Sequence, residues 1–207
     1  MAAGEEAASP DDRTTGDVLR MLRAGTATEH EDVERTLGLL DTALSRSRLT
    51  EVLTLMHGFW LAAEAGIEEW ARHCPADAAA VTWARRRRAD LFAADLRALG
   101  AGPATATPGL ADVGGTDAAL GRMYVLEGST LGGTFIDRHL SGLPQLACVR
   151  LRSFSPYGTE TGAMWHAFRR TTRARVAAGG DADAMVASAR DTFAALAAWC
   201  RPVGVAT

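Results

Sequence analysis

Residues 121–140, GRMYVLEGSTLGGTFIDRHL, decide how this chain is read. Leucine, methionine and valine keep helical spacing there, yet glycine stands at 121, 128, 132 and 133. Each glycine inside a helix costs about 0.5 to 1 kcal/mol relative to alanine. Three within six residues cost about 2 to 3 kcal/mol, and something must offset that. Two arrangements can. The helix packs closely against another helix, or it forms a platform where a planar ligand meets the backbone with no Cβ between. Glycine also lets a helix bend. A dinucleotide site is not indicated, because that fingerprint needs GxGxxG directly after a strand.

The surrounding sequence is helical almost throughout. Alanine, leucine, arginine and glutamate dominate, and all are good helix formers. A first helical region is expected over 15–42, broken near Gly25, and a second over 49–73. In the second, Val52, Met56, Phe59, Ala63, Ile67 and Trp70 recur every three or four residues and mark a buried face. Cys74-Pro75 stops it, because the residue before proline avoids the helical region. A third helix is expected over 78–99 with Asp77 as N-cap and Val81, Ala84, Leu91, Leu96 and Leu99 in the core. Proline and glycine make 101–115 a loop. The glycine-rich helix follows over 116–140, then a loop over 141–158 in which 147–154 alternates weakly, as a short strand would. A fifth helix spans 158–178. Asp181 caps a last helix over 182–199, with Met185, Ala189, Phe193, Leu196 and Cys200 as its buried stripe. The expected architecture is a single all-α domain of six to eight helices over 15–207, preceded by a polar, disordered tail over 1–14.

Composition limits the function. The chain has 207 residues, 47% hydrophobic and 23% charged, a soluble globular balance. The net charge of -3 gives no global basic field, so a nucleic-acid partner is not expected. No apolar run reaches the 18 or so residues of a membrane span. The N-terminus is acidic and lacks the apolar core of a secretory signal, so a cytoplasmic location is expected. Cys74, Cys148 and Cys200 are widely spaced, with no CxxC or zinc pattern. All 22 basic residues are arginine, which excludes Schiff-base chemistry on lysine.

His30 is the second unusual feature. It lies four residues before Glu34, so both share one helix face. A neutral imidazole there can ligate iron through one nitrogen while a carboxylate or water holds the other. A solvent-facing histidine among Glu29, Glu31 and Asp32 is the plainer alternative, and His30 alone does not separate the two. His57 is a rival ligand, His139 reads as a surface residue, and His73-Cys74-Pro75 reads as a helix stop.

Taken together, two blocks resemble the heme oxygenase family, in particular bacterial members found beside biliverdin-using photoreceptors. The first is L-R-x-x-T-x-x-x-H-x-x-V-E over 22–34, with Thr26, His30, Val33 and Glu34 in place. The second is YVLEGSTLGG over 124–133, similar to the family's distal-helix signature. The resemblance covers about 15–200. It implies a heme held between a proximal helix carrying His30 and a kinked, glycine-rich distal helix. His30 would be the axial iron ligand, Glu34 its outer partner and Arg23 a propionate contact. Gly128 and Gly132 would lie over the heme face, with Gly133 allowing the bend. In MWHAFRRTTR, His166 and Arg170 resemble the family's propionate-contacting helix, and Phe193 an aromatic pocket wall. The implied reaction opens heme to biliverdin, carbon monoxide and ferrous iron, using O2 and electrons from an external ferredoxin, flavodoxin or reductase. Heme is then both cofactor and substrate.

One position departs from part of the family. Mammalian-type members carry aspartate after the first distal glycine; here Ser129 stands there. Serine can hydrogen-bond a water but supplies no carboxylate. Arg122, Asp137 and Arg138 are the alternatives for ordering water, and a heme-binding or sensing protein without turnover is the alternative function. The run Arg85, Arg86, Arg87, Arg88 reads as a basic helix face, either simply solvated or a dock for an acidic redox protein.

Overall fold

The computed structural model describes residues 17–146 and 149–204. The tail expected over 1–14 lies outside them. Among the described residues there are eight α-helices, three single-turn 3-10 helices and no strand. Helix α1 is Val18–Gly25 and α2 is Ala27–Leu37. The break falls where expected. Thr26 leaves helical geometry at φ -120°, and its hydroxyl donates to the Leu22 carbonyl at 2.7 Å. Asp17 caps α1 by accepting the Leu19 N–H at 3.3 Å, and Arg173 donates to the same carboxylate at 2.7 Å. Helix α2 stops earlier than the expected 42, because Gly38 turns left-handed at φ +58°, a conformation that suits glycine.

Helix α3, Arg46–His73, is the scaffold of the core. Ser45 caps it through the Arg48 N–H at 3.1 Å. All six residues of the expected apolar face are buried. Cys74 ends α3 as expected, and Pro75 opens a new helix, α4, Pro75–Ala80, at a position where its missing N–H costs nothing.

The third expected helix is a correction. It is divided into α4, a 3-10 turn over Trp83–Arg85 and α5, Ala89–Ala98. The chain turns at Thr82, a non-glycine residue at φ +54°. That turn costs local strain. It redirects Arg86 and Arg88 into the protein, where most of their acceptors lie far away in sequence. Val81, Leu96 and Leu99 are buried as expected, but Leu91 is half-buried and Ala84 exposed.

Helix α6, Thr116–Gly142, is unbroken across its glycines. The suggested strand is not formed over 149–154, and Ala147 and Cys148 lie outside the described residues. Instead the Asp95 carboxylate accepts the N–H groups of Arg152 and Ser153 at 2.8 to 3.0 Å and holds an irregular segment against the core. Helix α7 is Thr161–Ala177 and α8 is Ala182–Gly204. Asp181 accepts the Ala184 N–H at 3.0 Å, as expected of a cap. Every residue of the expected α8 stripe is buried, and burial pushes the Cys200 thiol up to about 12. Helix α8 packs against α6 and α2, with further contacts to α1 and α3. No helix among the described residues is long and apolar enough to cross a membrane.

Candidate functional site

Helices α2 and α6 are tied together at two levels. Near the start of α2, the Thr26 hydroxyl and the Arg23 charge both act on the Tyr124 phenol, and burial nevertheless pushes the phenol's pKa up. Beyond the end of α2, the Gln145 amide donates to the carbonyls of Thr42 and Leu44 at 3.3 and 3.0 Å. Chain numbers rise in the same direction on both elements, so the two helices run roughly parallel. Between these ties α2 leans on α8 rather than α6, and the stretch between α2 and α6 is the candidate slot. His30 stands one turn past Thr26 on one wall, and Gly128 one turn past Tyr124 on the other.

The α2 wall brings three expected residues together. His30 meets Phe193 of α8 edge-on, with ring centroids 5.5 Å apart. His30 Nδ1 lies 3.8 Å from Glu34 Oε1, and the imidazole keeps 54% of its surface exposed. An Arg190–Glu29 pair at 2.9 Å holds α8 beside α2 at this height. Held on Phe193 and with Nδ1 toward Glu34, the ring has Nε2 left for a ligand.

The glycines of the α6 wall divide into two kinds. A Cβ built on Gly128 or Gly132 would meet nothing within 4 Å. A Cβ on Gly133 would overlap the Phe154 carbonyl, and one on Gly121 the Met185 carbonyl. Gly133 therefore serves a close backbone crossing. Leu131 and Phe135 share the open side with Gly128 and Gly132, and remain 43% and 61% exposed. This is an apolar helix face with its backbone uncovered, suited to a flat apolar molecule.

The remaining expected contacts are less closely gathered. Arg23 is exposed at the Tyr124 end of the slot. His166 and Arg170 are exposed on α7, without a hydrogen bond to the described residues. Their helix reaches this end through Trp165, whose ring lies 6.0 Å from that of Tyr124. His57, the rival ligand, is excluded from the slot: it is buried, and its Nδ1 accepts the Ala104 N–H at 2.9 Å. Burial lowers its pKa.

Behind the α6 wall lies a polar network that overturns the reading of the arginine run. Arg86 and Arg88 are each only 2% exposed. Arg86 pairs with the buried Glu127 carboxylate, which also accepts the Tyr157 hydroxyl at 2.8 Å. Arg88 Nη2 donates to the Leu126 carbonyl at 2.5 Å and to Ser129 Oγ at 2.7 Å, and its Nη1 to the Ser153 carbonyl at 3.2 Å. Only Arg85 and Arg87 face outward, and Arg85 pairs with Glu160 at 2.8 Å. The four arginines thus form no docking patch, since two of them are buried beneath α6.

The same network identifies the partner of Ser129. Arg122 reaches the Ala111 carbonyl on another side of α6, Arg138 is exposed and Asp137 is half-buried, its carboxyl raised by burial. None of the three is bonded to Ser129; Arg88 is. The Ser129 hydroxyl donates to the Leu126 carbonyl at 2.7 Å while accepting from Arg88. One acceptor lone pair remains. In the sequence Arg88 reads as a surface residue, and Tyr124 and Glu127 stand within YVLEGSTLGG without a role. A carboxylate in an apolar, glycine-rich helix was the available signal, because buried charges are normally paired.

Comparison with known proteins supports the fold. No protein-family model matches the chain, and no curated protein does. Among solved structures, the chain is similar to the NO- and CO-bound heme oxygenase from Neisseria meningitidis. The TM-score is 0.74 at 23% identity, over 91% of this chain and 92% of that one. The fold is therefore that of a heme oxygenase helical domain.

Proposed function

We propose that this protein is a cytoplasmic heme oxygenase that binds heme between α2 and α6. The observation that carries this reading is the uncovered backbone at Gly128 and Gly132; in this reading that face looks across to His30. His30 Nε2 would hold the iron. Glu34 and Phe193 would fix the imidazole plane. Gly128 and Gly132 would admit the porphyrin face, and Gly133 would fix the height of the wall against Phe154. Arg23 and Tyr124 would meet the carboxylates at one end of the slot, with His166 and Arg170 approaching from α7. Leu131 and Phe135 would cover the apolar edge.

When bound, heme supplies the iron that takes up O2 and is itself opened to biliverdin, carbon monoxide and ferrous iron, with electrons from an external donor. The protein's part is positional. Arg88 holds Ser129 with its proton turned onto the Leu126 carbonyl, so the hydroxyl keeps only an acceptor free. Ser129 can orient a water without delivering a proton of its own.

The test is an air-exposed absorption time course with one equivalent of hemin, ascorbate and catalase. Loss of the Soret band with growth of a broad red biliverdin band is expected. A stable Soret band, also under a coupled protein reductant, would mean heme binding without turnover; no specific Soret shift would overturn the reading. His30→Ala should abolish the imidazole-ligated ferric spectrum, and unchanged axial ligation would remove His30 from its role. Gly128→Leu should block turnover while leaving that ligation intact.

A further inference from the structure

Three buried arginines serve the helical core, and one of them has no ion-pair partner among the described residues. Arg86 has Glu127. Arg88 has three acceptors, with the charges of Glu127 and Glu64 nearby. Arg122 is 5% exposed, yet its one acceptor among the described residues is the Ala111 carbonyl at 2.5 Å. Its Nε is buried with no partner. No carboxylate of the described residues forms an ion pair with it, and Asp112, which acts on it through space, is exposed. A buried cation is normally paired, and one that is not calls for an explanation. The guanidinium is nonetheless firmly seated. Gly66 of α3 leaves its room, since a Cβ there would overlap Nη1.

Arg122 lines a cavity of about 370 Å³ between the 109–112 loop, the start of α6 and α8. That volume is within the range of small-molecule sites. The cavity uses the side of α8 that carries Ala187, Asp191 and Ala195, opposite the Phe193 side that meets His30. Its walls are otherwise short side chains, chiefly Leu110 and alanines, with Ser188 and Thr192, whose hydroxyls donate to the carbonyls of Ala118 and Ser188. Asp112 and Asp191 stand at its exposed edge.

We propose that this cavity is a second binding site, for a small monocarboxylate with a short apolar tail. Arg122 supplies the counter-charge, because guanidinium matches a carboxylate in shape and charge. The alanine wall takes the hydrocarbon tail. Asp112 and Asp191 at the edge repel any anion, a dianion about twice as strongly as a monoanion, which favours a monocarboxylate over the phosphate dianion. The site is separate from the slot between α2 and α6 and does not depend on heme.

The full chain would be titrated with butyrate and with benzoate, and with chloride and phosphate as controls, while backbone and arginine Nε–H resonances are followed by NMR. Saturable shifts are expected at Arg122 Nε–H and at Ala187 and Ala195, with either carboxylate alone and with hemin present or absent. Ala187 is exposed, so Ala187→Phe should fill the cavity mouth without harm to the core and weaken binding about tenfold or more; Arg122→Gln should do the same. The proposal is overturned if no saturable shift occurs into the millimolar range, if Ala187→Phe binds as tightly as the parent, or if phosphate binds equally well.

Discussion

In α6, Gly121 and Gly133 lie against the backbones at Met185 and Phe154, whereas Gly128 and Gly132 face open space. One residue type in one helix thus answers two demands: a close crossing in the first case, an uncovered surface in the second. The division extends to their neighbours. The inner side holds a buried ion pair and a buried arginine, and the outer side exposes Leu131 and Phe135. A helix that pays the entropic cost of four glycines therefore gains both a fixed position and a bare face, and substitutions on the two sides should behave differently.

The largest effect is expected from the inner side. Glu127→Ala would strand the Arg86 guanidinium, with only the Val81 and Met164 carbonyls as acceptors. Breaking a buried pair in this way costs about 3 to 5 kcal/mol. In a chain of this size each kcal/mol lowers Tm by about 2 to 4 °C, so a fall of roughly 10 °C should appear in a thermal melt. A change within a degree or two of the parent would mean that the interior network does not hold α6 in place.

The glycines give the direct contrast. Gly133→Ala places a methyl group on the Phe154 carbonyl, and backbone must move; about 1 to 3 kcal/mol should be lost. Gly128→Ala and Gly132→Ala meet no neighbour and remove glycine's entropic cost, so each should stabilise the heme-free protein by about 0.5 to 1 kcal/mol. Denaturant melts of the three variants decide the matter. Equal destabilisation at 128 and 133 would mean that the outer face is packed after all.

The same contrast shows what could be read without coordinates. The long helices, their caps at Asp181 and near Gly25, and the stripes of α3 and α8 follow from local chemistry, and all were legible. So was the meeting of His30, Glu34 and Phe193, although only through a family resemblance, because Phe193 lies 163 positions from His30 and no local pattern joins them. The glycines were legible as a problem but not as a solution, since nothing local distinguishes Gly132 from Gly133. The arginine run misled for a physical reason. Four arginines in sequence read as a solvated helix unless their acceptors are known, and Glu127 and Ser129 lie 41 residues away. The break at Thr82 follows from the same long-range demand and has no glycine or proline to announce it.

A second arginine–carboxylate pair on α6 isolates the role of burial. In the first turn of the helix, Asp117 accepts Arg175 Nε at 2.8 Å and Nη2 at 3.0 Å. These hydrogen bonds hold its carboxyl below the usual 3.8, against the opposing effect of burial. The unfolded chain therefore binds more protons than the folded one between the two pKa values. The pair's stabilisation is full above the unfolded pKa and is lost as pH falls through the folded one. Arg175 is 38% exposed, so screening limits the gain to about 0.2 to 1 kcal/mol. Arg175→Gln should cost that much at pH 7, cost less in high salt, and converge with the parent in acid, where Asp117 is protonated in both. Asp17 is paired in the same way with Arg173 and adds its own acid limb, but that limb is common to parent and variant and cancels in the difference. Glu127→Ala should instead remain costly in high salt, because solvent ions do not reach the interior pair. If Arg175→Gln proved as damaging as Glu127→Ala, burial would not be what separates the two sides of α6, and the inner network would have to owe its effect to hydrogen-bond geometry alone.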